Sequence, residues 1–294
     1  MKQTNVRQFF KEFPDDDACL EHLFNVRFGQ GHVCPKCERE AKWYRLQSEQ
    51  AYSCQWCGHH IHPQVGTIFE KSRTPLQLWF YAIFLFTTSR HGVSGKELQR
   101  QLGVTYKTAW RMASLIREHM AAIDGDEPLG GEGRVVEVDE TYVGGHKKGA
   151  RGRQTTNKTI VFGMIERDGD VIVKVVPNAK KATLQGHIIA GVEAGTEIHA
   201  DDWVAYDDLG KNGYDLKRVN TKTRGQYVGP NGENVNSIEN FWRHLKKSIE
   251  GTHISVSPKY LERYAKEFEY RFNRRTTPEK MLSELLSRFP DLDA

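Results

Sequence analysis

Apolar residues recur along the chain with two different periods, and the change between them divides it. Over the first 123 residues, apart from short strands around 43–46 and 51–53, the spacing is helical. Phe9, Phe10, Phe13, Leu20, Leu23 and Phe24 form the apolar side of a short helical cap, residues 1–33. Pro75 opens a more apolar helix with Leu76, Leu78, Trp79, Ile83, Leu85 and Phe86, because proline suits the first helical turn. Ser94, with Glu97 three positions on, predicts the capped start of a helix that stops at Gly103. A second helix begins near Thr105 and carries Ala109, Met112, Ala113 and Ile116 on one side. This pair has the proportions of a helix-turn-helix, within a helical region spanning 75–123. The second helix would offer Thr105, Tyr106, Lys107 and Arg111 to a DNA duplex; an ordinary helical hairpin has the same pattern.

The acids and glycines of 124–133 read as a linker. Beyond them the period shortens to that of strands. Arg134 to Glu140 is a β-branched run ending on two carboxylates, Asp139 and Glu140. The runs 159–166 and 171–176 flank Asp168-Gly169, a hairpin signal. A helix over 182–193, a strand over 196–200 ending at Asp201 and Asp202, and a strand over 217–220 follow. Helices over 237–249 and 258–275 complete a domain of residues 134–275, and 276–294 reads as a tail helix.

Composition narrows the class. The 294 residues carry 42 Lys+Arg and 38 Asp+Glu, a net charge of +4, with 38% hydrophobic residues. That excludes disordered and collagen-like chains. No apolar run reaches the roughly 20 residues that cross a bilayer, and the first residues lack an apolar signal region. A cytoplasmic protein with reduced thiols is expected, with no membrane partner.

Four of the five cysteines stand in two pairs, Cys34 with Cys37 and Cys54 with Cys57. Two such CxxC knuckles aim four sulfurs at one centre, which predicts a structural Zn²⁺ and a zinc ribbon over residues 34–62. A redox pair needs one CxxC opening a helix, whereas Trp43, Tyr44, Tyr52 and Trp56 lie between or beside these two. Cys19 is expected to pack.

The carboxylates carry the candidate chemistry. If the first and fourth strands of the second domain are neighbours, Asp139 and Asp201 meet at their ends. A helix packed across that edge brings Glu239 close. Three carboxylates there repel one another unless a divalent cation neutralises them, and Mg²⁺ serves phosphoryl displacement in that way. Glu140 and Asp202 remain alternatives to their neighbours, and Glu239 could simply pair with Arg243. Basic residues surround these acids: Lys147, Lys148, Arg151 and Arg153 in a glycine-rich loop, then Arg243, Lys246 and Lys247, then Arg271, Arg274 and Arg275. Such groups suit a phosphate backbone; a solvated loop is the alternative for the first set. Lys246 lies two helical turns after Glu239, on the same face.

The stretches 136–145, 200–206 and 236–246, the ribbon before them, and Tyr264, Glu267, Phe268, Arg271, Phe272, Asn273 and Arg275 together resemble a known family. They are similar to the DDE transposases of prokaryotic insertion sequences, in the ISXO-type group related to the eukaryotic Merlin elements. The resemblance spans nearly the whole chain. It implies a multidomain α+β protein: zinc ribbon, helix-turn-helix, then an RNase H-like α/β catalytic domain with a mixed central sheet. It implies two catalytic Mg²⁺ ions, with Mn²⁺ able to substitute, on Asp139, Asp201 and Glu239, and Lys246 beside them. Related transposases carry Glu or Asn in the third place, and Asn236 and Asn240 stand near Glu239. Double-stranded DNA is the implied partner, as inverted-repeat ends and as target, bound by a homodimer or higher oligomer at the nucleoid. Water would cut the element's end, and the freed 3′-OH would attack new DNA. A catalytically inactive DNA-binding regulator, or a stand-alone RNase H-like nuclease that does not join ends, are the other readings.

Overall fold

A computed structural model describes residues 4–144, 158–219, 228, 229 and 232–290. The chain divides into two units: Met1–Ile123 with Thr276–Ala294, and Asp124–Arg275.

The first unit opens with α1 (Val6–Glu12) and α2 (Asp16–Arg27). Asn5 and Gln8 form a reciprocal capping box on α1. A three-stranded antiparallel sheet follows, β1 (Trp43–Arg45), β2 (Tyr52–Cys54) and β3 (His60–Ile61). Tyr52 stacks on Phe24 with ring centroids 4.0 Å apart, which fixes this sheet to α2. Next come α3 (Leu76–Thr88), α4 (Gly95–Leu102) and α5 (Tyr106–Asp124). The Ser94 hydroxyl accepts from Glu97 N at 3.0 Å, and Gly103 ends α4 at φ 65, a left-handed position that glycine adopts freely. Both boundaries of this helix stand where the capping residues predict them.

The second unit is built on a five-stranded mixed sheet. Its strands are β5 (Val135–Val143), β6 (Thr159–Glu166), β7 (Val171–Val176), β9 (Glu197–Asp201) and β10 (Asp215–Val219), in the order β10-β9-β5-β6-β7. β5, β6 and β7 form an antiparallel meander, while β9 and β10 join parallel to β5. Short β4 (Leu129–Gly130) pairs with β8 (Val192–Glu193). Alternating side chains serve two cores. On one face Val136, Val138, Phe162, Met164 and Ile198 pack with Leu184 and Ile188 of α6 (Lys181–Gly191). On the other, Val161, Ile165 and Val173 meet Ile238, Phe241, Trp242 and Leu245 of α7 (Asn236–Ser248) and Ala265 of α8 (Leu261–Asn273).

Residues 124–130 are fastened to this unit. Asp126 lies 2.5 Å from Lys174 and 2.6 Å from the mostly buried Lys266, and Asp124 pairs with Arg274. Three of the arginines expected to serve DNA are engaged inside the unit instead. Arg274 holds Asp124, Arg271 holds Glu267, and Arg275 donates to the Gly169 carbonyl at 2.9 Å. The chain then completes the first unit with α9 (Met281–Ser287), which packs on α2 and α3. His22 Nε2 and buried His119 Nε2 each sit 2.9 Å from a carbonyl at its end, Leu286 and Leu285. No described helix is long and apolar enough to cross a membrane.

Candidate active site

The four thiols gather as their spacing predicts. Among the described residues, the four cysteines are the group whose ligand atoms stand close enough to share a metal, all within 4.8 Å. Cys34 Sγ lies 3.7 Å from Cys57 Sγ, and Cys37 Sγ 3.9 Å from Cys54 Sγ. Four sulfurs at about 2.3 Å from a tetrahedral Zn²⁺ stand about 3.8 Å apart, so the cluster fits that ion. Each knuckle closes the same way. The residue after its second cysteine, Glu38 or Gly58, turns to positive φ, and its N–H donates back to the first cysteine's carbonyl. Cys54→Ser, or chelation, should release about one zinc per chain and melt residues 34–62, since structural zinc supplies much of a ribbon's folding energy. Freshly purified protein with no zinc by elemental analysis would overturn this.

The acids sit on the sheet of the second unit. β5 does not end at Glu140; it runs on through Thr141, Tyr142 and Val143, all of which suit a strand and pair with β6. Asp139 is therefore mid-strand, opposite Gly163. On its other side Glu137 faces His199 in parallel register. The paired register ends there; strand alternation turns Asp139 and Asp201, each two residues further on, to the α7 side, near enough for the Asp201 carboxylate to act on Asp139. Glu140 points to the opposite face, where it accepts from the buried Tyr206 hydroxyl at 2.9 Å. Asp202 is exposed. The alternation of the strand thus separates Asp139 from Glu140, which spacing alone leaves open.

Helix α7 crosses this face. Ile238, Phe241, Trp242 and Leu245 are buried at helical spacing, and Glu239, Asn240 and Arg243 are exposed. Trp242 Nε1 donates to Asp139 Oδ2 at 3.1 Å. The indole reaches that far because residue 163 has no side chain: a Cβ there would stand 2.6 Å from the Trp242 ring. Burial, then the carboxylates of Glu140, Asp201 and Glu239, push the Asp139 carboxyl up to about 8. Partial loss of water around its carboxylate raises Glu239 as well, with Glu137 adding to it. Lys246 is half-buried two turns along; burial lowers its ammonium, neighbouring Lys158 lowers it further, and Asp139 opposes the change. The oxygens are hard donors of the kind Mg²⁺ takes, and their mutual repulsion is what a cation would relieve. They are not drawn together as tightly as the thiols.

Glu137 is the residue that sequence reasoning missed. Its carboxylate is wholly buried and accepts from Ser237 N at 2.7 Å, Ile238 N at 3.1 Å and Ser237 Oγ at 3.0 Å. It therefore caps the start of α7 from the neighbouring strand. Arg167 pairs with it at 3.0 Å and also lies 3.2 Å from His199 Nδ1. Asn234 N donates to that same nitrogen at 3.1 Å, and Nε2–H of His199 donates to Glu197 at 2.6 Å. One signal was available: Glu137 sits two positions before Asp139, an acid on the inward face of an apolar strand.

The other named residues divide clearly. Thr105, Tyr106, Lys107 and Arg111 are exposed around the start of α5, with Lys96 Nζ 4.8 Å from the Tyr106 ring. Arg243 and Lys247 are exposed on α7, and Arg243 donates to Asn240 Oδ1 at 2.6 Å. Lys147, Lys148, Arg151 and Arg153 lie outside the described residues.

Comparison with known proteins identifies this combination. Residues 128–273 match the ISXO2-like transposase domain, and residues 14–60 match the transposase zinc-ribbon domain. The chain belongs to the ISXO2-like transposases. It is 27% identical to a protein of transposable element ISH50 from Halobacterium salinarum, over 89% of this chain and 92% of that one. It is 32% identical to a transposase-like protein of Haemophilus influenzae, over 35% of this chain and 80% of the relative. The transposase domain begins just before β4 and ends at the last residue of α8, so its range includes Asp139, Asp201 and Glu239. Membership of this transposase family implies DNA binding.

Proposed function

We propose that the chain binds the ends of its own insertion sequence and catalyses metal-dependent cleavage and strand transfer. Asp139 and Asp201, on neighbouring parallel strands and electrostatically coupled, beneath a helix that carries Glu239, are the observation that supports this most. The strand order, an antiparallel meander flanked by two parallel strands, supports an RNase H-like catalytic domain.

On this reading Asp139, Asp201 and Glu239 hold divalent cations, Mg²⁺ or in its place Mn²⁺. Bound there, such ions activate water and stabilise a leaving 3′ oxygen. Trp242 fixes the Asp139 carboxylate by its indole N–H, and Glu137 fixes the first turn of α7, on which Glu239 rides. Lys246, with Arg243 and Lys247, holds the phosphate backbone. No protein nucleophile is required, because the second step uses the DNA's own 3′-OH. Joining two ends calls for a homodimer or higher oligomer on DNA. The cytoplasm, at the nucleoid, is where such an enzyme meets its substrate.

A strand-transfer assay tests the whole reading: the purified chain, Mg²⁺, a pre-cut duplex of the element's end, and target DNA. Joined product is expected. Cleavage without joining would favour a nuclease, and binding without either would favour a regulator.

The exposed start of α5 supports a helix-turn-helix for end recognition. Arg111→Ala should weaken binding to the element's ends about tenfold and to random DNA little, as loss of a base contact does. Equal weakening on both DNAs in a mobility-shift titration would make Arg111 a phosphate contact.

A further inference from the structure

Past the C-terminus of α7 the chain does something that the catalytic reading leaves unused. Residues Ile249–His253 widen into a π-helical turn. Ile254 follows at φ 64, ψ −54, with Ser255 N donating to the His253 carbonyl at 2.7 Å. That is a γ-turn of the positive-φ kind, rare and strained even without a β-branched side chain at its centre. Ile254 is nevertheless 87% exposed. Nothing in the packing of a core compels this geometry, and π-turns and strained backbone concentrate at functional sites.

The turn forms one wall of a cleft of about 460 Å³. Ile254 and Val256 supply an apolar wall, Tyr142 borders one end, and Lys158 and Lys246 bring two cations to the same space. Glu250 adds an acceptor. A second hollow of about 650 Å³ shares Tyr142 and Lys158, so the groove continues at this end of the sheet. The volume lies in the range of sites for small organic molecules, roughly 300–1,000 Å³. Val143, which also lines the cleft, lies four residues along β5 from Asp139, about 13 Å at ~3.3 Å per residue.

We infer that this cleft receives one nucleotide of the bound DNA, swung out of its stack: base against Ile254 and Val256, phosphate on Lys158 and Lys246. An apolar wall takes any base by its flat face, and paired cations take a phosphate, not a neutral solute. Glu250 accepts from an exocyclic amine. The inference rests on the DNA-cleavage reading for its ligand, and adds that the duplex is opened within a few base pairs of the scissile phosphate. The site would favour a mispaired or missing neighbour, because unstacking a base is the cost to be met.

Ser255 lines the cleft and is exposed, so Ser255→Trp fills the space without disturbing a core. The test is an affinity scan of the full-length wild type and this variant in Ca²⁺. Each probe is the element's end duplex with one abasic site, stepped across four base pairs either side of the cut. On intact DNA the variant should bind about tenfold or more weakly. At one position, or two adjacent ones, the missing base should erase that defect, because nothing remains to collide with the tryptophan. A defect equal at every position, or no defect on intact DNA, overturns the inference. Position-specific rescue of the variant, together with wild type that never cuts in Mg²⁺, would refute the cleavage reading and leave the cleft standing.

Discussion

Asp139→Asn and Asp201→Asn should each lower Mg²⁺-dependent cleavage by more than about 100-fold while leaving affinity for the element's end within about twofold. Disturbing the groups behind a metal's ligands already costs about ten- to hundredfold, and these changes remove a ligand's charge outright. They should also fold, and Asp139→Asn should raise stability in the absence of metal. Asp139 is crowded by burial and by the carboxylates of Glu140, Asp201 and Glu239, so a neutral amide relieves repulsion in the metal-free state. Cleavage at a normal rate by either variant, in a timed assay on labelled duplex, would remove that residue from the ligand set. The same assay ranks the third ligand. Glu239→Gln should be as inactive as the aspartate variants, and Asn240→Ala mild, since the Asn240 carbonyl is engaged by Arg243 on the exposed side of α7. The reverse ranking would move the third ligand to the amide.

The second large effect is expected at a residue that touches no substrate. Glu137→Ala should destabilise the second unit by about 3 kcal/mol, through a broken buried ion pair and an uncapped helix. Arg167 is partly exposed and recovers some hydration, so the upper end of the range for buried pairs does not apply. Glu137→Gln should keep much of the cap, because an amide oxygen still accepts from Ser237 and Ile238. It should restore most of the stability and recover part of the cleavage rate. Denaturant melts of both variants alongside single-turnover cleavage separate the roles. If Glu137→Gln were as unstable as Glu137→Ala, the charge and not the cap would hold α7.

Much of the fold around this candidate site could be read from residue order. Strand pairs announce themselves locally: β6 and β7 run where β-branched residues flank Asp168-Gly169, and α4 runs from its capping serine to its terminal glycine. The aspartates were legible as acids closing apolar strands, although β5 passes Asp139 by four residues. What could not be read depends on which residues face each other across elements. Trp242 reaches Asp139 only because β6 presents Gly163 opposite it, and neither residue is close to Asp139 in sequence. Glu137 becomes a helix cap only once α7 lies across β5. The arginines in and just after α8 looked like DNA contacts because sequence reveals a charge and not its partner; Asp124 and Glu267 are those partners for Arg274 and Arg271. The π-turn and γ-turn before Val256 leave no compositional mark at all.

The return of α9 to the first unit sets a clock on synthesis. His119 waits for a carbonyl 166 positions later. At about 5–20 residues per second, the ribosome delivers that partner roughly 10–30 s after His119 itself. The second unit is one unbroken segment, and its ends are tied by Asp124 and Arg274, so every piece it needs is made before α9 appears. The order of completion therefore inverts the order of translation: the unit bearing the carboxylates can close while the unit begun first still lacks its last helix.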